Sequence, residues 1–378
     1  MSFKRYHIIL LLTTMQIVSV FGSPKDKTIK KDSIFRTVSV FYDYGFVIPH
    51  HPDIVYFMED FTQGAELTYG ITNYRSNSWS KYFNYPEVGV AFSFSTFGNK
   101  DIFGNGLALY PYMHTTILRT KHFYLRNKLS MGLGYVTKPF DIISDPYNMI
   151  NGSRLNIFIG FGLYGMYKIN NHWFVKGKVT LNHYSNGATK KPNNGMNILS
   201  AGIGVGYSFN PEEEPVMKKI KAPREKKRSI NVTGAFGGSR VTYYDNKFYP
   251  AASLNISHKW FRSVKTAWGA GIDLIYYGAA PYTYTKGNDP LPLDDSRFYG
   301  AVQGTYNMLL GRIDLFIQLG VYVLYDVKPR QPVYPRLGVR YHITKELEAV
   351  FDLKGSFFKA EFLEFGLGYE IFYGKNRN

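Results

Sequence analysis

Apolar and polar residues alternate along most of this chain, in segments of about ten residues separated by turn-rich pieces. From Arg312 to Leu324, Ile313, Leu315, Ile317, Leu319, Val321 and Val323 share one side, while Arg312, Asp314, Gln318 and Tyr322 share the other. Leu347, Ala349, Phe351 and Leu353 alternate in the same way with Glu348, Asp352 and Lys354, with Val350 as the exception. A β-strand sends successive side chains to opposite faces, so each segment has an apolar side and a wet side. The pattern predicts eight strands before residue 210, at 35–47, 63–72, 87–97, 106–118, 122–136, 153–169, 172–185 and 196–209. Eight more follow at 229–243, 247–260, 264–278, 296–310, 312–326, 333–343, 347–358 and 361–373.

This is the pattern of an all-β, transmembrane antiparallel barrel. Even strand counts in both halves let each sheet close with its two ends on the periplasmic side, which removes the unpaired edges that lipid does not tolerate. Between the halves, Pro211 to Arg228 reads PEEEPVMKKIKAPREKKR, dense in both charges and without apolar periodicity, as a solvated linker does. The strand before it ends in Gly206, Tyr207, Ser208 and Phe209, as the last strand of a complete barrel would. The favoured organisation is two tandem eight-stranded barrels, covering 24–210 and 229–378. The alternative is one barrel of about sixteen strands with the linker as a long turn; such a barrel would enclose an aqueous channel, whereas eight strands enclose only side chains.

Composition supports export. Lys4 and Arg5 precede an apolar run from Ile8 to Phe21, and the small Gly22 and Ser23 follow it. That run is short for a bilayer span and reads as a cleaved signal peptide over residues 1–23. With no cysteine in 378 residues, neither disulfides nor metal thiolates nor a lipidated cysteine is available, and stability must come from packing and strand pairing. The 32 Tyr and 29 Phe against 4 Trp fit the aromatic girdles of a membrane barrel. The net charge is +17, or +15 without Lys4 and Arg5. For an exported chain this excludes nucleic acid as the natural partner and suits anionic lipid headgroups or a phosphorylated glycolipid.

Candidate chemistry is concentrated in the hairpin from Trp173 to Phe209. Trp173, Val175, Gly177, Val179 and Leu181 form the apolar, outward row of its first strand, and continuing that row arrives at His183 and Ser185. On the return strand Leu199, Ala201, Ile203, Val205 and Tyr207 are outward, and counting back gives Asn197. Three polar side chains therefore share the face that meets lipid. If His183 and Asn197 are cross-strand neighbours, their Cβ atoms are about 5 Å apart. His183 could then take the proton of the Ser185 hydroxyl as it attacks an ester carbonyl, with Asn197 fixing the ring's tautomer.

The run His183-Tyr184-Ser185-Asn186-Gly187, followed by Pro192-Asn193-Asn194-Gly195, resembles the outer-membrane lipid A 3-O-deacylases, the PagL-like group of acyloxyacyl hydrolases. The resemblance covers about the mature first half and is concentrated in this hairpin. It implies an eight-stranded barrel in the bacterial outer membrane, a His-Ser-Glu triad at the outer end of the wall, no cofactor, and lipid A of lipopolysaccharide as the partner. It further implies His183 as base, Ser185 as nucleophile and Asn186 as an oxyanion-hole donor, with Gly187 beside it. Where the family has a glutamate this chain has Asn197, and no Asp or Glu occurs from His183 to Phe209. An asparagine can orient a histidine but does not offset an imidazolium charge.

Lys190 and Lys191 lie in the same loop and could meet lipid A phosphates as point charges, or form a solvated loop tip. The adjacent His50 and His51 lack further ligands at recognisable spacing, so no metal site is expected. Gly202-Ile203-Gly204-Val205-Gly206 lies inside a strand and opens no helix, which points to barrel-interior packing rather than a nucleotide loop. The expectation is an esterase removing one ester-linked acyl chain from lipid A. The alternative is a non-enzymatic barrel acting as a pore or adhesion scaffold, and the role of residues 229–378 and the oligomeric state stay open.

Overall fold

The computed structural model describes residues 34–374 except 50–51, 76–78, 211–219, 245, 285–296 and 358. The expected signal segment, His50, His51 and half of the expected linker lie outside the described residues.

Strands β1 to β8 (Ile34–Val47, Thr62–Asn73, Glu87–Thr96, Asn105–Arg119, Phe123–Val136, Leu155–Lys168, Trp173–Ser185 and Met196–Ser208) pair in chain order, and β1 pairs with β8 to close a barrel. Strands β9 to β16 (Arg228–Ser239, Tyr249–Ser263, Thr266–Tyr277, Phe298–Leu310, Ile313–Tyr325, Val333–His342, Leu347–Ser356 and Lys359–Tyr373) form a second closed barrel, with β9 against β16. All neighbouring pairs are antiparallel. The chain is thus all-β with two eight-stranded barrels, and the sixteen-stranded alternative is excluded by the two separate closures. Helical structure among the described residues is confined to short turns at Pro52–Val55, Trp79–Phe83 and Ala280–Tyr284.

The expected and observed strands differ mainly at their ends. The segment 240–243 is loop rather than strand, because β9 stops at Ser239, just after Gly238 at φ 157°. In that loop Tyr243 meets Phe140 edge-on at 5.3 Å.

Alternation in sequence becomes inside and outside in space. Val179, Leu181, Ile203 and Val205 stay exposed on the outer wall, while Lys176, Lys178, Thr180 and Ser200 between them are buried in the interior. A buried charge is costly unless paired, and the inward charges are paired across each barrel. In the first, Glu66 accepts from Lys128 and Lys178, both at 2.9 Å, and Glu87 holds Arg126 at 3.0 Å. In the second, Arg336 lies 2.8 Å from Asp352 and also meets Glu364, while Arg340 is 3.2 Å from Glu348. The glycines of β8 make room for these contents: a Cβ at Gly202 would fall 2.1 Å from Asp43 Oδ1, and one at Gly206 would fall 2.4 Å from the Phe174 ring. Interior packing therefore accounts for that glycine run.

Candidate active site

Both chain ends of the first barrel and its short turns at 120–122 and 169–172 mark one rim, so the loops 48–61, 97–104, 137–154 and 186–195 crown the other. The last of these loops joins β7 to β8 and carries the candidate residues. What fixes its parity is Tyr184. Its side chain is 1% exposed and points into the barrel, edge-on to Phe158 at 5.1 Å and to Phe97 at 5.3 Å. Tyr110 stacks on Phe158 at 4.3 Å and extends this aromatic plug. With Tyr184 anchored inward, strand geometry turns its neighbours His183 and Ser185 outward. Both are half-buried, at the upper end of the row that holds the exposed Val179 and Leu181.

His183 stands directly opposite Asn197 across the β7–β8 ladder, and its Nδ1 lies 2.7 Å from Asn197 Oδ1. An amide oxygen only accepts, so this contact puts the proton on Nδ1 and leaves Nε2 with its lone pair. Beside the ring runs Gly195 at φ 79°, where a Cβ would fall 2.5 Å from His183 Cε1. The turn residue must therefore be glycine on two grounds, backbone conformation and room for the imidazole.

Ser185 Oγ donates to Asn193 Oδ1 at 3.1 Å and accepts from the Gly187 N–H at 3.3 Å. Asn193 Oδ1 also accepts the Asn186 N–H at 3.0 Å. Asn186 is buried; its Oδ1 accepts the Lys190 N–H at 3.3 Å, while its Nδ2 has no acceptor. A buried donor without a partner is costly, and an oxyanion formed at Ser185 is a group that could satisfy it. Of the two loop lysines, Lys190 is exposed and Lys191 is half-buried, so the solvated-tip description suits only Lys190.

Asn193 is a residue the sequence reading quoted only as part of a turn. The structure makes it the acceptor for both Ser185 and Asn186, and an isolated bridge ties it to Asn151 in the 137–154 loop. Around that bridge, the Gly152 N–H donates to Pro192 C=O at 2.7 Å and the Asn194 N–H to Ile150 C=O at 2.9 Å. The signal available in sequence was the paired Asn193-Asn194 between Pro192 and Gly195, since two amides in a tight turn have backbone and side-chain work to do. One further cluster, His342, Glu348 and Glu370, places possible ligand atoms within 4.8 Å of one another inside the second barrel. Arg340 already pairs with Glu348, and Lys259 with Glu370, so cations of the protein occupy that role.

Residues 63–208 match the family model described as lipid A 3-O-deacylase (PagL), and residues 228–375 match the acyloxyacyl hydrolase C-terminal domain. Among solved structures, the outer membrane enzyme PagL is similar to 44% of this chain and 97% of its own, at 15% identity and a TM-score of 0.34. A triple mutant of the Rhodopseudomonas blastica porin is similar over 90% of this chain and 100% of its own, at 8% identity and a TM-score of 0.17. No curated protein matches the chain.

Proposed function

As a member of the lipid A 3-O-deacylase (PagL) family, the chain is a lipid A-deacylating hydrolase of the outer membrane, and we propose that it works as a serine esterase through Ser185, His183 and Asn197. The observation that carries this reading is the outward pairing of His183 with Asn197 at 2.7 Å, one residue beyond the buried Tyr184 from Ser185. The Nδ1–H bond to Asn197 orients the ring and reserves Nε2 as the base. In the reaction the Ser185 hydroxyl swings from Asn193 toward His183 and gives up its proton as Oγ bonds to the acyl carbonyl carbon. The tetrahedral oxyanion is met by the Gly187 N–H and the Asn186 side-chain amide. Collapse expels the sugar hydroxyl, protonated by His183, and leaves an acyl-serine. Water, deprotonated by the same histidine, then releases the fatty acid.

Placement on the outer wall suits a lipid substrate. The exposed Leu181 and Val179 below the site offer an apolar surface along which an acyl chain can lie without leaving the leaflet. On this reading, residues 24–210 form the deacylase unit and 229–378 a second unit joined by the 211–228 linker. The pore alternative is disfavoured by an interior occupied by Glu66, Lys128, Lys178, Tyr110 and Tyr164, bonded to one another across the lumen.

The test is lipid A mass spectrometry on cells expressing the full chain. Wild type should remove one acyl chain from lipid A and Ser185→Ala should remove none. An unchanged lipid A profile with well-inserted wild type would refute the reading.

A further inference from the structure

The outward row of β16 contains Leu363, Phe365, Leu367, Tyr369 and Ile371, and the last four are all more than half exposed, as lipid-facing residues are. Leu363 continues that row yet is only 8% exposed. What covers it is the β7–β8 loop of the other barrel: a Cβ added to Gly187 would fall 2.4 Å from Leu363 Cγ, 2.6 Å from its Cδ1 and 2.9 Å from its Cδ2. The branched end of this leucine therefore sits directly over the Gly187 α-carbon. One residue on, the Arg240 N–H donates to the Ala188 C=O at 2.9 Å. Tyr243 meets Phe140 edge-on, in the 137–154 loop whose Asn151 is bridged to Asn193. The opposite rims touch as well. A Cβ at Gly311, in the β12–β13 turn, would fall 2.8 Å from Trp79 Cδ1, and Lys265 Nζ lies 4.5 Å from the Phe83 ring centroid. Contacts at both rims stand the barrels side by side, with the second seated on the catalytic loop of the first.

The seated segment is a turn that needs holding. The Thr189 N–H donates to the Asn186 C=O at 3.3 Å, and both residues between are left-handed, Gly187 at φ 62° and Ala188 at φ 68°. Two consecutive left-handed residues make the mirror-image turn that glycine and asparagine favour. Gly187 meets that demand, whereas the Cβ of Ala188 opposes it. Such a backbone persists only where its surroundings over-determine it. The second barrel supplies two of the constraints, the Leu363 side chain on Gly187 and the Arg240 N–H on the Ala188 carbonyl. The same turn carries the candidate oxyanion donors: the Gly187 N–H, 3.3 Å from Ser185 Oγ, and the Asn186 Nδ2, buried without an acceptor. Relaxation of the turn rotates the peptide between Asn186 and Gly187 and takes its N–H off the serine oxygen.

We propose that the second barrel buttresses the catalytic loop, and that Leu363 is a positioning residue holding the Gly187 N–H and the Asn186 amide where the oxyanion forms. The inference rests on the esterase reading and adds that both barrels make one catalytic unit. Leu363 acts through Gly187 rather than on the substrate. An oxyanion donor stabilises the transition state far more than the bound ester, so loss of its alignment lowers kcat and spares KM.

The experiment measures fatty-acid release from lipid A in mixed micelles by the full chain carrying Leu363→Ala, Leu363→Met or Phe365→Ala. Leu363→Ala should lower kcat about tenfold, less than the roughly hundredfold or more of a donor removed outright, with KM changed by less than about twofold. Leu363→Met refills the volume and should recover most of the loss. Phe365→Ala, on the same row but facing lipid, should match wild type. The most discriminating variant is Ala188→Gly added to Leu363→Ala. Glycine adopts the left-handed conformation without being held, so the pair should turn over at least about threefold faster than Leu363→Ala alone. A packing defect at the seam that left the turn untouched would gain nothing from that glycine. Heat-modifiable migration on gels verifies that each variant is folded. If Leu363→Ala does not insert, the smaller truncation Leu363→Val carries the same test, with an expected loss of about threefold. Wild-type kcat in a folded Leu363→Ala chain, a loss confined to KM, or no relief by Ala188→Gly would overturn the proposal. Failure of the esterase reading looks different, because wild type itself then releases no fatty acid.

Discussion

The two barrels share a strand count, a closure and a charged interior, but their outer walls end differently. In the first, the apolar row of β7 gives way at the rim to His183 and Ser185, faced by Asn197 on β8. In the second, the corresponding outward row of β16 stays apolar up to Leu363 and there meets the neighbouring barrel. Nothing in the common architecture demands either ending. Polar groups on a lipid-facing row sacrifice lipid solvation, a cost that the proposed esterase role would explain, while an apolar residue buried on such a row marks a protein contact.

The comparison is sharpest at His183. Its replacement by Ala should lower deacylation by at least about a thousandfold with the barrel intact, as loss of a general base does elsewhere; heat-modifiable migration on gels verifies folding and fatty-acid release verifies the loss. The interiors, by contrast, should respond alike and only in stability. Glu66→Leu in the first barrel leaves buried Lys128, and Glu348→Leu in the second leaves buried Arg340, without its carboxylate partner; each change should destabilise its barrel by about 3–5 kcal/mol, read as a lowered urea midpoint in micelles. A smaller effect is expected at Asn193→Ala, which removes the shared acceptor of Ser185 and Asn186: roughly a tenfold fall in kcat with little change in KM. Smallest is Asn197→Glu, where a carboxylate in the same cross-strand position should retain or raise activity, by up to about tenfold, through offsetting the imidazolium charge. A collapse of activity in that variant would show that Asn197 does not orient His183.

Much of this was legible in sequence. Alternation located every strand, because a membrane barrel has lipid outside and polar packing inside, and one pattern of period two reports both. The same parity put His183, Ser185 and Asn197 on one face, and the turn beyond them carried the family resemblance. What sequence did not disclose involves contacts set by closure and tilt. That Glu66 faces inward follows from its position in β2, but that it meets Lys128 of β5 and Lys178 of β7 depends on how the barrel wraps. Asn193 was visible as a turn residue and not as the acceptor for Ser185, since its side chain is aimed by the bridge to Asn151 from a loop about forty residues away. Leu363 was indistinguishable from Phe365 because a leucine reads the same whether lipid or a protein loop covers it.

The central claim is that Ser185 is the nucleophile on a lipid-facing wall. An acyl-chain phosphonofluoridate, incubated with the full chain in micelles and followed by peptide mass mapping, tests it without any assumption about lipid A structure. Ser185 Oγ should displace fluoride and carry the phosphonyl group, with labelling lost in His183→Ala. Labelling confined to another residue, or a fully active protein that takes up no label, would contradict the account.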